Sequence, residues 1–125
     1  MDETTHPLLD AEAPAALPSW RHRMREVDDL DRAILGYLDE PHTTAEVMAF
    51  AGLTAVRALL RSARLARFGF VTRSAHADDT GGRPGYLWTR TPAGGLVVAV
   101  QRGSRAASRR LAVLVAGEPR IGSAA

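Results

Sequence analysis

Two glycines seventeen residues apart, Gly52 and Gly69, bracket the stretch that most limits how this chain can fold. The segment between them opens with Thr54, a favoured N-cap whose hydroxyl accepts a first-turn N–H. It closes at Gly69, a residue free to take the left-handed conformation on which helices often end. Just upstream, Thr43 and Glu46 stand at capping-box spacing and can satisfy two orphan backbone donors of an earlier, shorter helix. Val47, Met48 and Ala51 give that helix one apolar face, and Gly52-Leu53 interrupts it. The sequence therefore predicts two short helices joined by a tight glycine-containing turn, which is a helix-turn-helix.

The second of these helices carries a row of arginines. Arg57, Arg61 and Arg64 recur at i, i+4 and i+7 and so share a face, with Arg67 beside it. Ala55, Leu59, Ala63 and Ala66 fall opposite, and small residues there would let the helix approach its neighbours. The guanidinium forks are then expected to project outward, where they can bind phosphate or the O6/N7 edge of guanine bidentately. Taken alone, such a stripe reads as readily as a solvated face.

The segment after Gly69 adds context. Phe70-Val71-Thr72-Arg73 and Tyr86-Leu87-Trp88-Thr89 are rich in β-branched and aromatic residues, and they flank a segment containing Gly81-Gly82-Arg83-Pro84-Gly85. Two strands and a glycine tip make a hairpin, with Arg83 placed to reach a phosphate or an adjacent minor groove. Asp78 and Asp79 are expected on its outer side or in turn hydrogen bonds. The glycine segment is a poor phosphate loop, because a strand comes after it where a helix N-terminus is needed.

Gly52-Leu53-Thr54 through Gly69-Phe70-Val71, then Gly82-Arg83-Pro84-Gly85-Tyr86-Leu87-Trp88 and Thr91-Pro92-Ala93-Gly94, resembles the winged helix-turn-helix regulators of the MarR and PadR type. The resemblance spans roughly residues 28 to 102; Ser62 and Arg90 depart from it, standing where the pattern usually has apolar residues. It implies a mostly α chain with a small β-hairpin wing (α+β), a C-terminal helix used in dimerisation, and double-stranded DNA bound as a homodimer on an inverted repeat. The DNA-binding residues expected on this basis are Thr43, Thr44, Thr54, Arg57, Arg61, Arg64, Arg73 and Arg83.

Charge segregation agrees with a polyanionic partner for the second half. Residues 1 to 46 hold four arginines and eleven acids, net −7, whereas residues 47 to 125 hold twelve arginines and three acids, net +9. Cysteine is absent, so disulfides, thiolate metal sites and thiol redox sensing are excluded. The four histidines show no metal-ligand spacing, and no metal or cofactor is expected. No paired carboxylates or activated nucleophile stand out, and Asp28-Asp29-Leu30-Asp31 reads as helix-start charge set against the macrodipole, so the chain is not expected to be an enzyme.

The expected organisation is an acidic arm over residues 1–19, the DNA-binding domain over 20–90, dimerisation helices over 91–117 and a tail over 118–125. Trp20 begins a short helix, packing on a partner subunit, on the C-terminal helix or into the core. Leu30, Ala33, Ile34, Tyr37 and Leu38 form the stripe of a scaffold helix that Pro41 stops. Thr91 with Pro92 starts a helix to about Arg102, and Ser104 caps another to Gly117. Their apolar runs fall far short of the ~20 residues of a membrane span, so burial against a second subunit is expected through Trp20, Leu96, Val97, Val100, Leu111, Leu114 and Val115. A small-molecule effector would fit between those helices and the first, near Trp20, Tyr37 and Trp88. The N-terminus lacks a secretory pattern, and a cytoplasmic protein is expected. Two functions stay open: a sequence-specific DNA-binding repressor, and a winged-helix module that docks an acidic protein partner.

Overall fold

Each helix among the described residues starts where a short polar side chain can close its first turn. Ser19, Asp28, Thr43, Thr54, Thr91 and Ser104 each accept the N–H three residues ahead, and at Asp28 and Thr43 the third residue returns the bond to make a full capping box. The computed structural model describes residues 18–76 and 85–118. Over these residues the order is α1 (Trp20–Glu26), α2 (Asp29–Tyr37), β1 (His42–Thr43), α3 (Thr44–Ala51), α4 (Ala55–Arg67), β2 (Val71–His76), β3 (Gly85–Arg90), α5 (Pro92–Gln101) and α6 (Arg105–Ala116). The chain is thus mostly helical with a small antiparallel sheet, an α+β arrangement. The acidic arm, the hairpin tip with Asp78, Asp79, Gly81, Gly82 and Arg83, and the tail beyond Glu118 lie outside the described residues.

The three strands lie in the order β1-β3-β2, all antiparallel. Val71 pairs with Arg90 and His76 with Gly85 along the hairpin, while His42 and Thr43 of β1 pair with Trp88 and Leu87. α3 packs on α4, α2 on α5, α4 on β2, and α1 reaches α6. Gly52, at φ 67°, and Gly69, at φ 80°, adopt the left-handed conformation the two helix ends require.

The core is built from Ile34, Leu35 and Leu38 of α2, Val47 of α3, Ala58 and Leu65 of α4, Phe70 and Trp88 around the sheet, and Val97 and Val98 of α5. Trp88 is fully buried, and its indole N–H donates to Thr44 Oγ1 at 2.9 Å, so the largest side chain of the core leaves no orphan donor.

Both expected stripes pack on the core except at one alanine each, and each is displaced toward a buried polar residue. On α2 the buried positions are Asp31, Ile34 and Leu35, followed by Leu38 at the C-cap; Ala33 is exposed, and Leu30 and Tyr37 pack at the edge of the core, Tyr37 between His42 and Phe50 at centroid distances of 3.9 and 4.1 Å. On α4 the buried line is Ala58, Ser62 and Leu65 with Ala63, while Ala55 is exposed. The reason is the same in both: a polar residue, Asp31 or Ser62, occupies the centre of the buried face, and apolarity alone does not locate it.

α5 lies close under the sheet because of one residue. Thr91 donates its N–H to Phe70 O and its hydroxyl to Gly69 O, bringing the first turn of α5 against the strand start. A Cβ at Gly94 would collide with the Phe70 carbonyl oxygen and meet the Arg90 side chain, whereas one at Gly95 would meet only Arg90 Nε at 3.6 Å. Gly94→Ala is therefore expected to lower unfolding free energy by about 2–3 kcal/mol, and Gly95→Ala to leave it unchanged or raise it by up to ~1 kcal/mol. Urea unfolding of the two variants checks the contrast.

Candidate nucleic-acid interface

The outward face of α4 is set by its buried line. At ~100° per residue the side directly opposite Ala58, Ser62 and Leu65 carries Val56, Leu60 and Arg67, with Arg57 and Arg64 on one flank. Val56 and Leu60 are 57% and 43% exposed on that side. Arg57 is exposed and, among the described residues, has no ion-pair partner. Arg57, Arg61, Arg64, Leu53, Leu60 and Asp28 line one open depression.

Arg61 and Arg64 do not project freely, which corrects the expectation of an outward arginine stripe. Arg61 Nη1 lies 2.8 Å from Asp31 Oδ1 and 2.9 Å from Asp28 Oδ2, and Arg64 Nη2 donates to Asp31 Oδ2. Asp31 is completely buried, while the two guanidinium side chains are 26% and 31% exposed. A carboxylate taken fully out of water has to be paired, and here two arginines of α4 and the Asp28 N–H pair it. The Asp31 backbone N–H, and after it the Arg61 guanidinium, hold the Asp28 carboxyl below its usual range against a partial desolvation. In turn Asp28 and Asp31 strengthen the protonation of Arg61. Arg64 also lies over the Phe68 ring at 5.8 Å. The macrodipole accounts for only part of the role of Asp28 and Asp31. The sequence signal for the rest is their i, i+3 spacing, matched by the same spacing of Arg61 and Arg64 on the facing helix.

The threonines serve the scaffold. Thr43 and Thr54 cap α3 and α4, and Thr44 accepts the Trp88 indole proton. Arg73, on β2, sets its guanidinium over the Tyr86 ring at 5.0 Å. Arg83 lies outside the described residues. The structure thus gathers Arg57, Arg61 and Arg64 on α4 with Thr54 at its N-cap, and puts Thr43, Thr44 and Arg73 on other elements.

The residues expected at a subunit interface divide likewise. Val97 is 1% exposed and belongs to the chain's own core, which removes it from any interface. Trp20, Leu96 and Leu114 line a groove of about 540 Å³ with Pro92, Ala99, Ala107 and Arg110. Val100, Leu111 and Val115 are partly buried, and Val113, at 72% exposure, is the more open apolar side chain of α6. The three aromatics proposed for an effector cleft do not meet: Trp20 lines this groove, Tyr37 lines a separate depression beside α5, and Trp88 is in the core.

Arg23, for which the sequence pattern assigns no role, anchors α1. It is buried, donates to the Phe68 carbonyl at 2.8 Å just past the end of α4, and lies over the Trp20 ring at 4.3 Å. Burial lowers its pKa despite the nearby Glu118 carboxylate, which also accepts the Trp20 N–H. Among the described residues no cluster of His, Asp or Glu could hold a metal ion, and no helix is long and apolar enough to cross a membrane. Compared with protein-family models, with curated proteins and with solved structures, the chain matches none.

Asp31→Asn leaves two guanidiniums facing a neutral buried group and is expected to cost about 2–4 kcal/mol of stability. Asp29→Asn, which loses only an exposed pair with Arg32, should stay within ~0.5 kcal/mol by chemical denaturation. The carboxyls of Asp28 and Glu46 are both held low, Glu46 chiefly by the Thr43 N–H. Their contribution is therefore complete above the unfolded value of about 4 and is lost as pH falls through the lower folded values. Thermal unfolding midpoints should fall below about pH 4, and the fall should be shallower in Asp28→Asn, which can still cap the helix.

Proposed function

We propose that this chain is a winged helix-turn-helix protein that binds double-stranded DNA in a sequence-specific way, acting as a dimeric transcriptional repressor in the cytoplasm. The observation that carries the reading is the element succession. A scaffold helix, a two-residue strand, two helices joined at Gly52, and an antiparallel hairpin come one after another, and the face of α4 opposite the core is left open. A helix exposed in this way fits a major groove, with its N-terminal residues at the bases and the hairpin along the flanking backbone.

The roles of the arginines change within this reading. Arg57, exposed in the first turn of α4, is the candidate for base or phosphate contact. Arg61, committed to Asp28 and Asp31, sets the orientation of α4 against α2 and contributes to binding indirectly. A homodimer would use the groove between α5 and α6, since its lining by Trp20, Leu96 and Leu114 leaves apolar surface that a second copy would cover. The interaction-module alternative would have to cover the same exposed aliphatic pair, Val56 and Leu60.

Selection of genomic fragments by the purified protein, with footprinting of the best fragment, tests the reading. The expected result is a protected inverted repeat with half-site centres about one helical turn apart. On that duplex Arg57→Ala should weaken binding by about 1–3 kcal/mol, whereas Arg61→Ala should act first on the unfolding midpoint. Unchanged affinity and base preference in a folded Arg57→Ala protein would remove α4 as the reading element.

A further inference from the structure

We infer that Val56 and Leu60 are specificity residues that read the C5-methyl groups of thymine in a major groove; this rests on the DNA-binding reading. The two side chains stand one turn apart on α4, directly opposite its buried line, at 57% and 43% exposure. Phe50, by contrast, has its exposed ring stacked on Tyr37. Two side chains make a narrow apolar strip, well short of the ~20 residues that each side of a stable protein interface contributes. A positive edge adjoins it at Arg57, which is exposed and has no ion-pair partner among the described residues, whereas Asp28 and Asp31 engage Arg61 and Arg64. The occupant that fits is therefore anionic along its edge and carries small, separated apolar projections.

A DNA major groove has that chemistry. Phosphates line its rims, and thymine is the unmodified base that presents a methyl group there. Residues four apart on a helix are separated by ~6 Å along the axis, close to two base steps of ~3.4 Å. Val56 and Leu60 can thus address thymines about two steps apart, while Arg57, on the adjoining flank, reaches a phosphate or a guanine edge.

The test uses the highest-affinity duplex recovered from a random-sequence library by the full chain, with each thymine replaced in turn by deoxyuridine. This removes the methyl and keeps every hydrogen bond. Expected is a loss of about fourfold per contacted methyl, at one or two positions in each half-site. In Val56→Ala or Leu60→Ala, with the unfolding midpoint checked, thymine and deoxyuridine should bind alike at one of those positions. If the duplex is footprinted but no deoxyuridine substitution matters, or if the effect persists in both variants, the inference is overturned while DNA binding stands. If the library yields no enriched duplex, the DNA-binding reading itself falls, and this inference with it.

Discussion

The arrangement of the helices depends on a carboxylate that sees no water. Asp31 sits in the buried stripe of α2, where Coulomb attraction is strong and an unpaired charge would be intolerable. Its partners are the Asp28 N–H on its own helix and the guanidiniums of Arg61 and Arg64 on α4. Hydrophobic contacts between α2 and α4 would permit the helices to slide or rotate by small amounts at little cost. A buried charge with donors from fixed directions does not, and it thereby sets the orientation of the outward face of α4.

A second constraint acts at the other end of α4. Arg23 bonds the Phe68 carbonyl, Phe70 enters the core just before β2, and Thr91 ties the end of β3 to Gly69 and Phe70. Arg90 adds the Leu35 carbonyl through its side chain and the Leu38 carbonyl through its N–H. Sheet, α2 and α5 are therefore joined at one junction, and the absence of a side chain at Gly94 lets that junction close. Arg90, which stands where the resemblance has an apolar residue, and Arg23, to which the sequence assigns no role, are the side chains that bind backbone carbonyls across it.

Much of this is legible in the residues. Thr43 with Glu46, Thr54, Gly52, Gly69, Thr91 with Pro92, and Ser104 with Gly117 act through local backbone chemistry, which needs no tertiary partner, and the helix ends fall at or beside them. The faces of α2 and α4 are less legible. Periodicity ranks residues by apolarity, so it assigns Ala33 and Ala55 to the core and overlooks Asp31 and Ser62. The arginine stripe misleads for a related reason: three guanidiniums on one helix look alike until the facing helix is known, and Asp28 and Asp31 separate Arg61 and Arg64 from Arg57. The C-terminal helices show the same limit, since Val97 and Leu96 are adjacent and equally apolar but only packing assigns Val97 to the core.

The segregation of charge along the chain also acquires a different meaning. Counting residues gives an acidic first part and a basic second part, as though each faced its own partner. In the folded chain two acids of the first part are spent inside the second: Asp28 and Asp31 neutralise Arg61 and Arg64 at close range. The field at α4 is accordingly weaker than four arginines suggest, with Arg57, at the start of the helix, exposed and without an ion-pair partner among the described residues. A weaker field lowers the sequence-independent part of any affinity for a polyanion, because fewer phosphates are neutralised and fewer counterions released. In the DNA-binding role proposed above, the remaining affinity would depend more on short-range contact at Val56, Arg57 and Leu60. A surface of that kind gives up raw affinity for discrimination between ligands of equal charge, since the uniform phosphate term shrinks while the base-edge term is untouched.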